Sequence, residues 1–163
     1  MKTRSITLLL LLIFLFAFKD SFSQKIPKDC FSFKGPCLLE KVMSDYNDGK
    51  GNLMDVYQCR STSPKRAYYR INVILFAKLI TDKEQYIRSV YADYSKQGRV
   101  KMTTLKGLKA VQVEENVVSD GVSLKQISVS ILYKNRAITL VLTTDSYPYG
   151  DLLKILTDSF SLL

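Results

Sequence analysis

The 163 residues carry 24 Lys and Arg against 15 Asp and Glu, a net charge of +9, and not one histidine. Without imidazole, Ser-His-Asp and Cys-His catalysis and any histidine-based zinc site are excluded. The length suits one domain with one core, and no internal repeat, low-complexity run or Pro/Gly-rich linker divides the chain.

Lys2 and Arg4 precede an apolar run from Ile6 to Phe18, followed by Lys19, Asp20 and the small residues Ser21 and Ser23. A charged start, an apolar stretch and a small-residue end make a signal peptide pattern. A membrane-spanning helix needs roughly 20 apolar residues, and this run falls short. A lipoprotein is disfavoured too, because the first cysteine, Cys30, lies well beyond the run. Cleavage is expected between Ser23 and Gln24, so that 1–23 is a signal peptide and 24–163 a single exported α+β domain, secreted or periplasmic, with no stable membrane span. Processing removes Lys2, Arg4, Lys19 and Asp20, so the basic count falls from 24 to 21, the acidic count from 15 to 14, and the net charge to +7. Gln24 to Asp29 reads as a loose arm.

Phe31 and Phe33 flank Ser32 in a short strand that stops at Gly35 and Pro36. Cys37 to Tyr46 and Leu53 to Arg60 form a hairpin around Asp48 and Gly49, a favoured turn pair. Asp45, Asn47, Asp48 and Asp55 offer oxygens to a cation, but the spacing is wrong for an EF-hand. Counted from Asp45 the glycine comes one place early, and counted from Ser44 a tyrosine, Tyr46, takes a ligand position. No metal and no cofactor is expected. Ala67 to Ala77 is apolar on both parities in its second half, which predicts a central strand covered on both faces.

Thr81-x-x-Glu84 reads as a capping box opening a helix from about Asp82 to Gln97, with Tyr86, Ile87, Val90, Tyr91 and Tyr94 on one face and Gly98 as the stop. Val100 to Thr104 and Lys109 to Val117 follow as strands around Lys106, Gly107 and Leu108, and Ser119, Asp120 and Gly121 turn the chain again. Val122 to Thr144 is the clearest sheet signal. Ile127, Val129, Ile131 and Tyr133 alternate with Gln126, Ser128 and Ser130, and Ile138, Leu140 and Leu142 alternate on the return after Lys134, Asn135 and Arg136. After a loop at Pro148, Asp151 to Ser159 predicts a last helix with Leu152, Leu153, Ile155 and Leu156 inward, and Phe160 plugs the core beyond it.

This order of a Phe31–Pro36 strand end, a hairpin, the strand YYRINVILF, one capped helix, a meander and a terminal helix closing on Asp158, Ser159 and Phe160 resembles the PsbP-like α/β sandwich family. The resemblance covers most of the chain after the leader. It implies an α+β fold in which an antiparallel meander lies between helices, an α/β/α sandwich, and a non-enzymatic accessory or binding role; it implies no site residues. A two-layer lipid-binding or cystatin-like arrangement is the alternative fold.

No Ser-x-x-Lys stands at a strand-to-helix turn, and no glycine-rich phosphate motif is present. Glu114 and Glu115 are adjacent, so on a strand they point to opposite faces and cannot face each other as an acid/base pair. The expectation is a binding domain that contacts a protein or an acidic cell-envelope component. Its site is placed on Arg99, Lys101, Lys106 and Lys109, four cations in eleven residues without an acid. The competing reading of these four is solvated lysines and an arginine that keep a sheet edge from aggregating. A carrier of a small apolar or lipid-like ligand, in a pocket between sheet and helix near Phe76, Tyr91 and Ile131, is the second function considered. No nucleic acid is expected, since no RNA- or DNA-reading motif accompanies the charge. Of Cys30, Cys37 and Cys59, the hairpin brings Cys37 and Cys59 opposite each other for a disulfide; Cys30 with Cys37 across Gly35 and Pro36, or three small buried hydrophobes, are the alternatives.

Overall fold

The computed structural model describes residues 22–26, 31–62, 65–96 and 99–163. In chain order these form β1 (Phe22–Ile26), β2 (Phe31–Gly35), β3 (Glu40–Asn47), β4 (Leu53–Ser61), β5 (Ala67–Leu75), α1 (Lys83–Tyr94), β6 (Arg99–Leu105), β7 (Leu108–Ser119), β8 (Val122–Tyr133), β9 (Arg136–Thr144), α2 (Gly150–Ser159) and β10 (Phe160–Leu162). The described residues are thus mostly antiparallel sheet with two helices, an α+β fold.

Seven strands make one antiparallel sheet in the order β3-β4-β5-β9-β8-β7-β6. The Val122–Thr144 hairpin turns at Lys134 and Asn135, and Arg136 already pairs with Tyr133. Its return strand β9 is the middle strand of the seven. Ile138, Leu140 and Leu142 are fully buried on one face, and Ala137 and Val141 are buried on the other. The strand expected to be central, β5, instead stands third. Tyr69, Ile71 and Val73 are buried, while Tyr68, Arg70, Asn72 and Ile74 are only half-buried.

The alternation in β8 sorts the two faces. Ile127, Val129 and Ile131 join Tyr69, Ile71, Leu140 and Leu142 in one core with Leu152 and Leu156 of α2 and Phe31, Phe33 and Phe160. Each fully buried Leu, Ile or Phe contributes about 1.5–3 kcal/mol by leaving water. Phe160 meets Phe31 at 5.6 Å between ring centres, and the chain then continues as β10. There it pairs with β2 in a second sheet, ordered β1-β2-β10, that covers this face together with α2. This small sheet was not expected. The supposed loose arm at Gln24 to Ile26 belongs to it, paired with Phe33, Ser32 and Phe31 through the backbone of β1. An expected cut after Ser23 would fall inside β1; residues 1–21, 27–30 and Gly98 lie outside the described residues.

Among the described residues, the other face is covered by α1. Ile87 is buried against Val111, Val113 and Leu132, with Tyr86 and Val90 packed beside it, while Tyr91 and Tyr94 at the far end of the stripe are exposed. The helix is capped by Asp82, whose carboxylate accepts from the Gln85 N–H at 2.8 Å, and not by Thr81. Glu84 is diverted from a capping box because it reaches Lys109 on β7 and Arg88 on its own helix, both at 2.8 Å. Asn135 at the tip of the β8–β9 turn fixes the approach to α1. Its Nδ2 donates to the Phe76 carbonyl at 2.7 Å, and its Oδ1 accepts from the Ile80 N–H at 3.0 Å.

At the edge, β3 begins at Glu40 and not at Cys37, and its poor alternation has a cause. The register with β4 shifts twice, between Lys41 and Met43 and again between Met43 and Tyr46, with Asp45 at φ 50. Bulges of this kind twist an edge away from further pairing. Just before β3, Cys37 is bonded to Cys59 of β4, with 5.9 Å between their Cα atoms. Closing a loop of this size stabilises a fold by about 3 kcal/mol through the unfolded chain. Replacing Cys37 and Cys59 together by Ser should therefore lower the unfolding free energy in denaturant by about 3 kcal/mol. An unchanged midpoint would contradict a structural bond.

A candidate anion-binding cleft

The four cations expected to form one patch are divided by strand parity. Arg99 and Lys101 stand opposite Glu114 and Gln112, whereas Lys109 stands opposite Thr104, so Lys101 and Lys109 point to opposite faces. Lys109 is held by Glu84 on the α1 side. Lys106 sits in the two-residue turn with Gly107, at φ 50 and 79, and its Nζ lies 3.5 Å from the Asp158 carbonyl. The structure does not bring the four together.

It assembles a different basic site. Across the face that α1 leaves open, one row of residues runs Arg60, Tyr68, Thr143, Gln126, Glu115 over β4, β5, β9, β8 and β7. The Arg60 guanidinium lies 5.7 Å from the centre of the Tyr68 ring, and the Tyr68 hydroxyl donates to Gln58. Gln126 donates to Glu115 and accepts from the Thr143 hydroxyl at 3.4 Å. Arg70 follows Tyr68 on the same side of β5, and Arg66 precedes it just before the strand. Arg60, Arg66, Tyr68, Arg70, Gln126 and Thr143 line a cleft of about 760 Å³ that also takes in Val117, Val122, Leu124, Asp120 and Asp145 from the ends of β7, β8 and β9.

Arg60, Arg66 and Arg70 form no ion pair among the described residues, and the Nε of the half-buried Arg70 is itself buried and has no hydrogen-bond partner there. An arginine fork presents several fixed donors and is matched by carboxylate or phosphate oxygens. The smaller clefts differ: those beside α2 and under α1 contain the Lys154–Asp158 and Lys109–Glu84 pairs, already neutralised internally. The signal for the arginine site was present in the sequence, since Arg66, Tyr68 and Arg70 alternate and must share a face once that segment is a strand.

Other expected groups are placed apart. Phe76 lies edge-on to Tyr86 on the α1 side, Tyr91 is exposed, and Ile131 is buried on the α2 side, so the sheet separates residues proposed to line one apolar pocket. Glu114 accepts from Tyr149 at 2.7 Å and from Gln112 at 3.1 Å on one face, while Glu115 meets Gln126 on the other. In the β3–β4 loop, Asp48 accepts from the N–H groups of Lys50 and Asn52, and Asp55 is paired with Lys41. Among the described residues no cluster of three Cys, Asp or Glu side chains is arranged to hold a metal ion, and no helix is long and apolar enough to cross a membrane.

This site sits on a seven-stranded antiparallel sheet with, among the described residues, one helix over each face. No protein-family model matches the chain, and no curated protein sequence matches it. Among solved structures, a protein of Bacteroides thetaiotaomicron VPI-5482 superposes with a TM-score of 0.56 at 12% identity, over 82% of this chain and 45% of that one. The chain therefore spans less than half the length of that protein, and the likeness is one of fold. LpqN of Mycobacterium tuberculosis, described as involved in cell envelope biogenesis, gives 0.40 at 10% identity over 90% of this chain and 87% of LpqN, a TM-score below that of a shared fold.

The Lys109–Glu84 pair can be tested separately. Hydrogen bonds from Lys109, then from Arg88, hold the Glu84 carboxyl below its ordinary range. A depressed carboxylate favours the fold at neutral pH, and that contribution disappears as pH falls through the lowered value. In an NMR titration Glu84 should titrate below an ordinary glutamate, and Lys109→Gln should move it back up. An unmoved midpoint would leave Lys109 free for a partner.

Proposed function

We propose that the protein is an exported, non-enzymatic binding domain that holds an anionic group of a protein or cell-envelope partner in the arginine cleft. The observation that carries this reading is the convergence of Arg60, Arg66 and Arg70, without a carboxylate partner among the described residues, on one concave and half-uncovered sheet face. Export is supported by the leader pattern and by the Cys37–Cys59 disulfide, a bond that persists in oxidising compartments. A binding role without turnover is supported by the lack of histidine and by Glu114 and Glu115 facing away from each other. A PsbP-like relationship is part of the proposal, supported by the antiparallel sheet with a helix over each face.

The test is a comparison of two charge-removing variants in binding to inorganic polyphosphate at low salt. Arg60→Gln with Arg66→Gln should weaken binding at least about tenfold with little change in melting temperature, since exposed charges contribute little to stability. Lys101→Gln with Lys106→Gln should leave it nearly intact. The reverse pattern would return the site to the β6–β7 edge. Binding that does not fall as salt rises to physiological strength would argue against an electrostatic site altogether.

A further inference from the structure

We infer that the ligand of this cleft is an amphiphilic anion, one molecule with a phosphate or carboxylate head joined to an apolar body. The inference rests on the anion-binding reading above and adds the second half of the ligand. Its basis is the uneven distribution of side chains across the cleft. All three arginines belong to the β4–β5 side. On the β7–β8 side the lining is apolar: Val117 pairs with Leu124, and Val122 pairs with Ser119 one step nearer the hairpin tip. Thr143 and Gln126 lie between.

Strand order sets the span. From β5 to β7 the sheet passes through β9 and β8, three strand spacings, or about 14 Å. A volume of about 760 Å³ is that of a site for one small molecule. It is long enough for a head at the arginines and a body over the valines.

Charge orients such a ligand. Glu115 on β7, held by Gln126, and Asp120 at the β7–β8 tip lie toward the apolar end and repel an anion there, while Asp145 follows Thr144, whose hydroxyl donates to the Arg66 carbonyl, and so stands between the two ends. Val122 is half exposed, at 51%, and Val117 and Leu124 beside it are half-buried. Apolar surface of this kind gains when a hydrocarbon covers it, with each buried methylene multiplying affinity about fourfold.

The experiment is calorimetric titration of the purified protein with inorganic phosphate, butyl phosphate and dodecyl phosphate below the micelle concentration, beside uncharged dodecyl maltoside and poly-glutamate. Affinity should rise at least about tenfold from butyl to dodecyl phosphate. Arg60→Gln with Arg66→Gln should lower binding of every phosphate, and Val117→Thr with Val122→Thr should remove only the gain due to chain length. The maltoside should bind weakly or not at all. Phosphates that bind through the arginines with no dependence on chain length would overturn the amphiphile and leave the anion site standing. Poly-glutamate binding more tightly than dodecyl phosphate would overturn it in favour of an acidic peptide. No binding by any anion, or binding unaffected by the arginine substitutions, would overturn both readings.

Discussion

One helix cannot cover one face of this sheet. A helix of 12 residues is about 18 Å long and roughly 10 Å wide, whereas seven strands span about 29 Å between the outermost axes. Where α1 lies, over β6, β7 and β8, the sheet beneath is apolar: Val111, Val113 and Leu132. Where it does not reach, over β4, β5 and β9, the same face carries Gln58, Arg60, Tyr68, Arg70, Asn72 and Thr143. The charged and large polar side chains of this face thus gather on the side that α1 leaves open, beside a few small buried residues such as Val56, Ala137 and Val141.

The two faces therefore divide the work. The face under α2 and the small sheet is closed by fully buried side chains such as Tyr69, Ile71, Ile131, Leu140, Leu152 and Phe160, and stability resides there. Burial without a partner pushes the Tyr69 phenol up to about 12, so it stays neutral at any physiological pH. The open half of the other face contributes less to the core and is free to hold charge. Arg60 and Arg70 on adjacent strands and Arg66 just before β5 bring like charges to one face, with Tyr68 beside Arg60 as their aromatic support among the described residues.

Local periodicity made much of the fold legible. The β8–β9 hairpin, α1, α2, the plugging Phe160 and the Cys37–Cys59 pairing all follow from alternation, helical spacing or turn position within one short stretch. Features that depend on distant segments were hidden. Nothing around Phe160 announces β10, because its partner β2 lies at the other end of the chain. Thr81 and Glu84 have the spacing of a capping box, yet Lys109, 25 residues on, draws Glu84 away. Density along the chain misled the reading of the site: Arg99, Lys101, Lys106 and Lys109 are close in sequence but split between faces. Arg60 and Arg70, ten residues apart, are brought to one side by the β4–β5 register. The better guide is parity on adjacent strands, which needed the strand order to be used.

The central claim is that the uncovered half of the α1 face is the contact surface. Its most direct measurement is the mapping of backbone amide shifts by NMR while inorganic polyphosphate is added at low salt. The account predicts that signals from Arg60, Arg66 to Asn72, Gln126 and Thr143 move together and saturate, with β6 and the Lys106–Gly107 turn unaffected. Saturating shifts confined to Arg99–Lys109, with the β4–β5 signals still, would contradict it.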